Sequence, residues 1–379
     1  MNELKPDELQ QHVPTASAFA RAGLLAYLFL IVYASWYPFS GWHDIGLSPW
    51  AFLFAPLPHY WTKFDVLTNV IGYFPFGMVM VFALYPRMRG IVAVAIAIVC
   101  GALLSGMVEA GQTFLPSRVS SNLDLITNAI GTILGAIAGA LLSRKFLEQS
   151  RLLRLRQHWF SNDAGPGLIL LGLWPLAQIY PQSFLFGHGQ LLPVVSGWLS
   201  SWLETPIDLG DILRSGGELT VEGYWLSETI ITACGLTGAA LTMLCLLRKH
   251  APKGSLVIVA ITIALTVKSL ASALFFGPES AFAWLTPGAQ GGLLAGAMML
   301  SGLVFARPVI QRRLAAFSLL ASIVTVNLVP TNPYFIATLQ AWLQGKFLNF
   351  NGAAHFLSML WPFFALWFLM HPMHRVRRG

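Results

Sequence analysis

The sequence predicts an all-α fold, a polytopic transmembrane bundle of about ten spans with both termini cytoplasmic. Three observations lead there. Of 379 residues, 56% are hydrophobic and only 10% charged, against roughly 25% charged in soluble domains. Apolar stretches of about 20 residues, the length that crosses a ~30 Å hydrocarbon core, recur along the chain. Lysines and arginines gather in alternate connections between them, as topology requires.

The spans are expected at about 18–37, 64–85, 90–112, 123–143, 165–183, 224–247, 254–276, 284–306, 313–330 and 353–370. With the N-terminus inside, 18 lysines and arginines fall on the inner side and 4 on the outer, and Lys268 lies within a span. That asymmetry sets the expected orientation in the cell inner membrane. The start, MNELKPDELQQHVPTAS, lacks a basic opening and a small-residue cleavage site, so the first span is expected to serve as an uncleaved signal.

The domain organisation follows. Residues 1–17 form a polar cytoplasmic N-terminus, 18–143 a four-helix membrane domain and 144–164 a basic cytoplasmic linker. Residues 165–370 make a second membrane half of about six helices, and 371–379 a basic cytoplasmic tail. The linker's charges suit anionic headgroups. The outer connections 38–63 and 334–352 are rich in Trp, Tyr and Phe and are expected to lie in the interface. The stretch 190–203, QLLPVVSGWLSSWL, reads as an interfacial amphipathic helix. The net charge of +7 is spent on topology, and no nucleic-acid motif accompanies it. Cys100, Cys234 and Cys245 fall inside apolar segments and read as small buried residues rather than a disulfide or metal set.

Two segments repeat: DVLTNVIG at 65–72 and DLITNAIG at 124–131, identical at five of eight positions. Both open an apolar span. Asp65, Asn69 and Gly72 share one helical face, as do Asp124, Asn128, Gly131 and Gly135, and such glycines admit a neighbouring helix closely. The span between them ends with Ser105, Glu109 and Gln112 on one face, and the short loop after it carries Arg118. Asp65, Asn69, Glu109, Gln112, Arg118, Asp124 and Asn128 are therefore expected together near the outer surface as a polar site. Thr62-x-x-Asp65 and Ser121-x-x-Asp124 also fit capping boxes, which alone would account for both aspartates. Capping leaves Asn69, Asn128 and Glu109 unexplained, and intramembrane polar groups point to a site by default. Glu109 and Arg118 are expected to form a charge-assisted pair.

The stretch FDVLTNVIGYFPFG (64–77), with its Asp and Asn before an aromatic-Pro-aromatic-Gly run, resembles the VanZ-like family. So does VEAGQTFLPSRVSSNLDLITNAIGTILGAIAG (108–139), through its Glu-x-x-Gln, Arg, Asp and Asn-x-x-Gly positions. The resemblance covers about residues 20–143. It implies an envelope-associated membrane protein in a family whose founding member is linked to low-level resistance to the glycopeptide teicoplanin.

The second half resembles a worn copy of the same unit. VKSLASALFFGPESAFAWLTPGAQGGLLAGA (267–297) repeats the helix–loop–helix layout of 108–139, with Trp284 opposite Asp124 and Gly288 opposite Asn128. KFLNFNGAAHFLSMLWPF (346–363) is set beside 63–76. Lys268 is expected to snorkel outward or meet a carboxylate. His43, His59, His188 and His355 lack metal-ligand spacing, and no metal site or cofactor is readable.

The leading expectation is a protein that binds or processes a lipid-linked envelope component at the outer leaflet, with membrane lipids and such a precursor as partners and no nucleic acid. Arg118 and the amides would grip phosphate, and the acids would carry protons or hold a divalent cation. A transporter or flippase is the first alternative, and a non-enzymatic scaffold of a polysaccharide or secretion assembly the second. No nucleophile motif or Walker loop marks it as an enzyme.

Overall fold

The computed structural model describes residues 15–37, 39, 41–116, 118–147, 155, 158–161, 164–214, 219–330 and 348–371. The expected interfacial segment 334–352, the N-terminus 1–17, the tail 371–379 and most of the linker 144–164 fall largely outside them.

Among the described residues the regular structure is helical apart from one isolated bridge, Phe160 to Leu247. In chain order the helices are α1 (Thr15–Trp36), α2 (Lys63–Leu84), α3 (Gly90–Gln112), α4 (Asn122–Leu147), α5 (Gly165–Ala177), α6 (Leu192–Leu203), α7 (Leu209–Arg214), α8 (Val221–Leu244), α9 (Lys253–Phe276), α10 (Pro287–Leu303), α11 (Pro308–Leu328) and α12 (Leu348–Met370). Two short 3-10 turns, Ala51–Phe54 and Pro278–Ser280, sit in connections. Six helices, α2, α3, α4, α8, α9 and α11, are long and apolar enough to cross a membrane, which makes this a multi-pass membrane protein. Ala20–Trp36, Gly165–Ala177 and Ala354–Met370 are shorter apolar helical stretches.

The expected span 165–183 needs correction. Its helix ends at Ala177, and the chain is non-helical from Gln178 to Leu191. Pro175 lies in its last turn and Pro181 just beyond, and each lacks the N–H that would continue the ladder. The expected amphipathic helix at 190–203 is present as α6, with Trp198 and Trp202 exposed.

The chain divides into two compact units, Met1–His158 and Trp159–Gly379. In the first, α2 and α4 pack over their whole lengths, with α3 against α4 and α1 against α2. Alpha-4 shows why. Ile126, Ile130, Leu134, Ile137 and Leu141 are exposed in one stripe, the apolar face a lipid-facing helix presents. Asn128, Gly131, Thr132, Gly135, Ala136 and Gly139 are buried on the other. A Cβ at Gly131 would sit 2.4 Å from the Val70 carbonyl oxygen, and one at Gly135 only 1.9 Å from that of Phe74. Small residues let the two backbones touch, which is how helices associate where lipid removes the hydrophobic drive. Ile31, Tyr73, Phe76, Leu104 and Val108 fill the space between α1, α2 and α3.

In the second unit α8 packs against both α10 and α11, and α12 against α5. The stacked pair Trp174 and Phe186, with ring centroids 5.3 Å apart, and the buried Trp361 lie in its core. The Trp361 indole donates to the Leu170 carbonyl at 2.8 Å. Thr220 and Thr286 cap α8 and α10 through Gly223 N–H and Ala289 N–H.

Candidate functional site

The polar residues singled out in the sequence gather at one end of the first unit, where α1 and α3 finish and α2 and α4 begin. Each is placed by a specific contact.

Asp65 closes the start of α2. Its carboxylate accepts from the Thr62 N–H at 3.1 Å and hydroxyl at 2.7 Å, and its own N–H donates to the Thr62 Oγ1 at 3.1 Å. The capping box is complete. One turn along, Asn69 Nδ2 reaches across to α4 and donates to Asp124 Oδ1 at 2.9 Å and Thr127 Oγ1 at 3.3 Å. This bond joins the two copies of the repeated motif.

The second expected box does not form. Ser121 Oγ accepts from the Leu123 N–H at 3.1 Å, the Ser121 N–H donates to Glu109 Oε2 at 2.8 Å, and the Asp124 carboxylate is turned to Asn69. Glu109 is 2% exposed. This bond stitches the end of α3 to the start of α4 across the loop between them.

Arg118 is not the partner of Glu109. Its guanidinium donates to the Tyr37 carbonyl at 2.8 Å, and burial lowers its pKa from the ordinary value. Gln112 does the same one residue pair earlier, donating to the Ser35 carbonyl at 3.1 Å. The last carbonyls of a helix lack intrahelical donors, and α1 ends here. Arg118 and Gln112 thus satisfy orphan acceptors of α1 and tie it to the rest. The expected ion pair gives way to two separate tethers because exposed carbonyls of a third helix lie within reach.

Asn128 is buried below. Its Nδ2 donates to Ser105 Oγ at 3.0 Å, and its Oδ1 has no hydrogen-bond partner. Tyr73, one turn beyond Asn69 on α2, is buried with its hydroxyl in the neighbourhood of Ser105 and Glu109. Sequence reasoning missed Tyr73, although its spacing from Asn69 placed it on the same stripe. It also missed Thr127 and the backbone groups of Ser121, Tyr37 and Ser35.

The three acids are close enough to feel one another: Asp124 lies within electrostatic reach of Glu109 and of Asp65. Among the described residues no three His, Cys, Asp or Glu side chains converge on one point. The connection 41–62 folds back over this end. His43 N–H donates to the Phe114 carbonyl at 3.1 Å, and Asn122 Nδ2 donates to the Ala55 carbonyl at 2.6 Å.

What remains chemically available is a set of acceptors. Asp65 is exposed and Asn69 and Asp124 are half-buried, whereas the unpartnered oxygen of Asn128 is buried beneath them. Fixed carboxylates of this kind accept from hydroxyls or amines, held rigid by contacts that the fold already makes.

No curated protein and no solved structure matches the chain. Residues 19–143 match the family model VanZ/LLP1, and this segment, four helices with a polar end, is the VanZ-like part of a membrane protein.

Proposed function

We propose that the VanZ-like segment binds a lipid-linked cell-envelope component from the outer leaflet of the inner membrane, with both chain termini in the cytoplasm. The observation that carries this is the Asn69–Asp124 bond. It joins two copies of one motif into a half-buried acceptor surface, with Asp65 beside it and a buried glutamate behind. Carboxylates and amides at a membrane surface suit the hydroxyls of a sugar or polyol carried on a lipid phosphate. Arg118 contributes positive charge at the rim, although its guanidinium is partly engaged with Tyr37. The family's link to teicoplanin belongs to the same proposal, since glycopeptides act on envelope precursors.

The test is lipid profiling of a deletion strain carrying wild type, Asn69→Ala or Asp124→Asn at matched membrane levels. Wild type is expected to restore the normal pattern of lipid-phosphate-linked species, and both variants are expected to fail. A profile indifferent to the deletion, or restored equally by all three, overturns the proposal.

A transport role has one observation of its own in favour, the break in helical structure after Ala177. Interrupted helices with buried polar groups are the usual frame of transporter sites. This feature belongs to the second unit.

A further inference from the structure

The second unit contains a cavity of about 270 Å³ at the place where α5 gives way to irregular chain. Lys268 of α9 lines it, together with Gln178, Gln182, Ser183 and Thr286. Phe275, Phe276 and Trp284 supply an apolar wall.

Lys268 neither snorkels nor meets a carboxylate. It is 4% exposed, and its Nζ makes one long bond, 3.4 Å, to the Tyr180 carbonyl. An ammonium has three donors, so two are unused among the described residues. The buried acid of this unit, Glu228, is engaged instead by the Thr286 hydroxyl. A buried charge left this way is costly, and proteins keep one where something compensates it.

The glutamines carry the complementary deficit. Gln178 is fully buried, and its Nε2 donates to the Trp174 carbonyl at 3.2 Å and to His188 Nε2 at 2.8 Å. His188 Nδ1 in turn donates to the Phe186 carbonyl at 3.1 Å. These bonds fix the imidazole tautomer and the direction of the amide, and both amide donors are used. Gln178 Oε1 is then a buried acceptor without a partner, and so is Gln182 Oε1, while Gln182 Nε2 bonds Ser358 Oγ.

The cavity therefore lacks an anion for its ammonium, and two glutamines of its lining carry amide oxygens without donors, beside an aromatic wall. We propose that it is a binding site for a hydroxyl-bearing phosphate, the phosphoglycerol headgroup of a membrane lipid or a soluble phosphate of the same kind. Phosphate oxygens would meet the Lys268 ammonium, which binds phosphate as a point charge. The hydroxyls would donate to Gln178 and Gln182. The volume fits a headgroup, with any acyl chain left outside.

The test uses the full-length protein in phosphatidylcholine nanodiscs, with phosphatidylglycerol mixed in as one probe and free glycerol 1-phosphate as the other. Wild type should unfold about 2–4 °C higher with a saturating probe, by mass action on the folded state. A rise with the lipid alone identifies a headgroup site, and a rise with glycerol 1-phosphate identifies a soluble ligand. Lys268→Met should lose the rise and, without probe, melt no lower than wild type, because it removes an uncompensated charge. Gln182→Glu provides a second reading should Lys268→Met fail to accumulate: its carboxylate supplies the missing anion and should also abolish the rise. The proposal is overturned by a wild type indifferent to both probes, or by a rise that persists in either variant. A probe-free Lys268→Met that melts well below wild type would also end it, since the charge would then be serving the fold.

Discussion

Gly72 and Gly131 occupy the same place in the two copies of the repeated motif, and the structure gives them different work. A Cβ at Gly72 meets nothing within 4 Å, whereas one at Gly131 would lie 2.4 Å from the Val70 carbonyl oxygen. Real Cβ atoms essentially never come under 3.0 Å, and the obstacle is backbone, which cannot rotate aside. Gly131→Ala must therefore push α4 off α2. Overpacking of this kind costs about 1–3 kcal/mol, offset by the roughly 1 kcal/mol by which alanine outranks glycine in a helix. A net loss of up to about 2 kcal/mol is expected, and more for Gly135→Ala, where the approach is 1.9 Å. Gly72→Ala keeps only the helical gain and should be neutral or slightly stabilising. Unfolding temperatures of the purified full-length variants in one detergent check this. Equal effects at Gly72 and Gly131 would refute the close pairing of α2 with α4.

Three further outcomes are expected. Glu109→Gln keeps an acceptor for the Ser121 N–H and should remain near wild-type stability, while Glu109→Ala should lose about 1–3 kcal/mol by stranding that donor, measured by the same melts. In a double-mutant cycle Glu109→Ala and Arg118→Ala should add within about 0.5 kcal/mol, since each holds its own carbonyl or amide, while Asn69→Ala with Asp124→Ala should depart from additivity by at least that much. Single cysteines at Val119 and Leu203 in a cysteine-free background should react with an impermeant thiol reagent in intact cells, and one at Ser150 should not; labelling of Ser150→Cys would reverse the orientation.

Facing was legible in the sequence, and partners were not. Helical spacing put Asn69, Asn128 and Glu109 at one end of one unit because a 3.6-residue repeat fixes which side chains share a face. The Thr62–Asp65 cap was legible because all its atoms lie within four residues. The Ser121–Asp124 box matched the same pattern and failed, because Glu109 and Asn69 arrive from other helices and bind the same groups. Backbone partners are invisible to pattern reading. Arg118 was assigned to a carboxylate and Gln112 to a site, yet each answers a carbonyl at the end of α1. The partner expected for Lys268 is absent for a related reason: its place within a span is readable, but the cavity beside it lies where α5 ends, an element distant in sequence.

Alpha-5 has a mechanical consequence as well. Its 13 residues rise about 20 Å, some 10 Å short of the usual hydrocarbon thickness. A full-length helix answers a thicker bilayer by changing its tilt. A short one followed by irregular chain has no such adjustment, since the backbone from Gln178 to Leu191 must stay covered by protein to keep its polar groups from lipid. The second unit is thus expected to feel bilayer thickness at this junction. Thicker membranes would load the junction at Gln178, the residue whose amide holds His188.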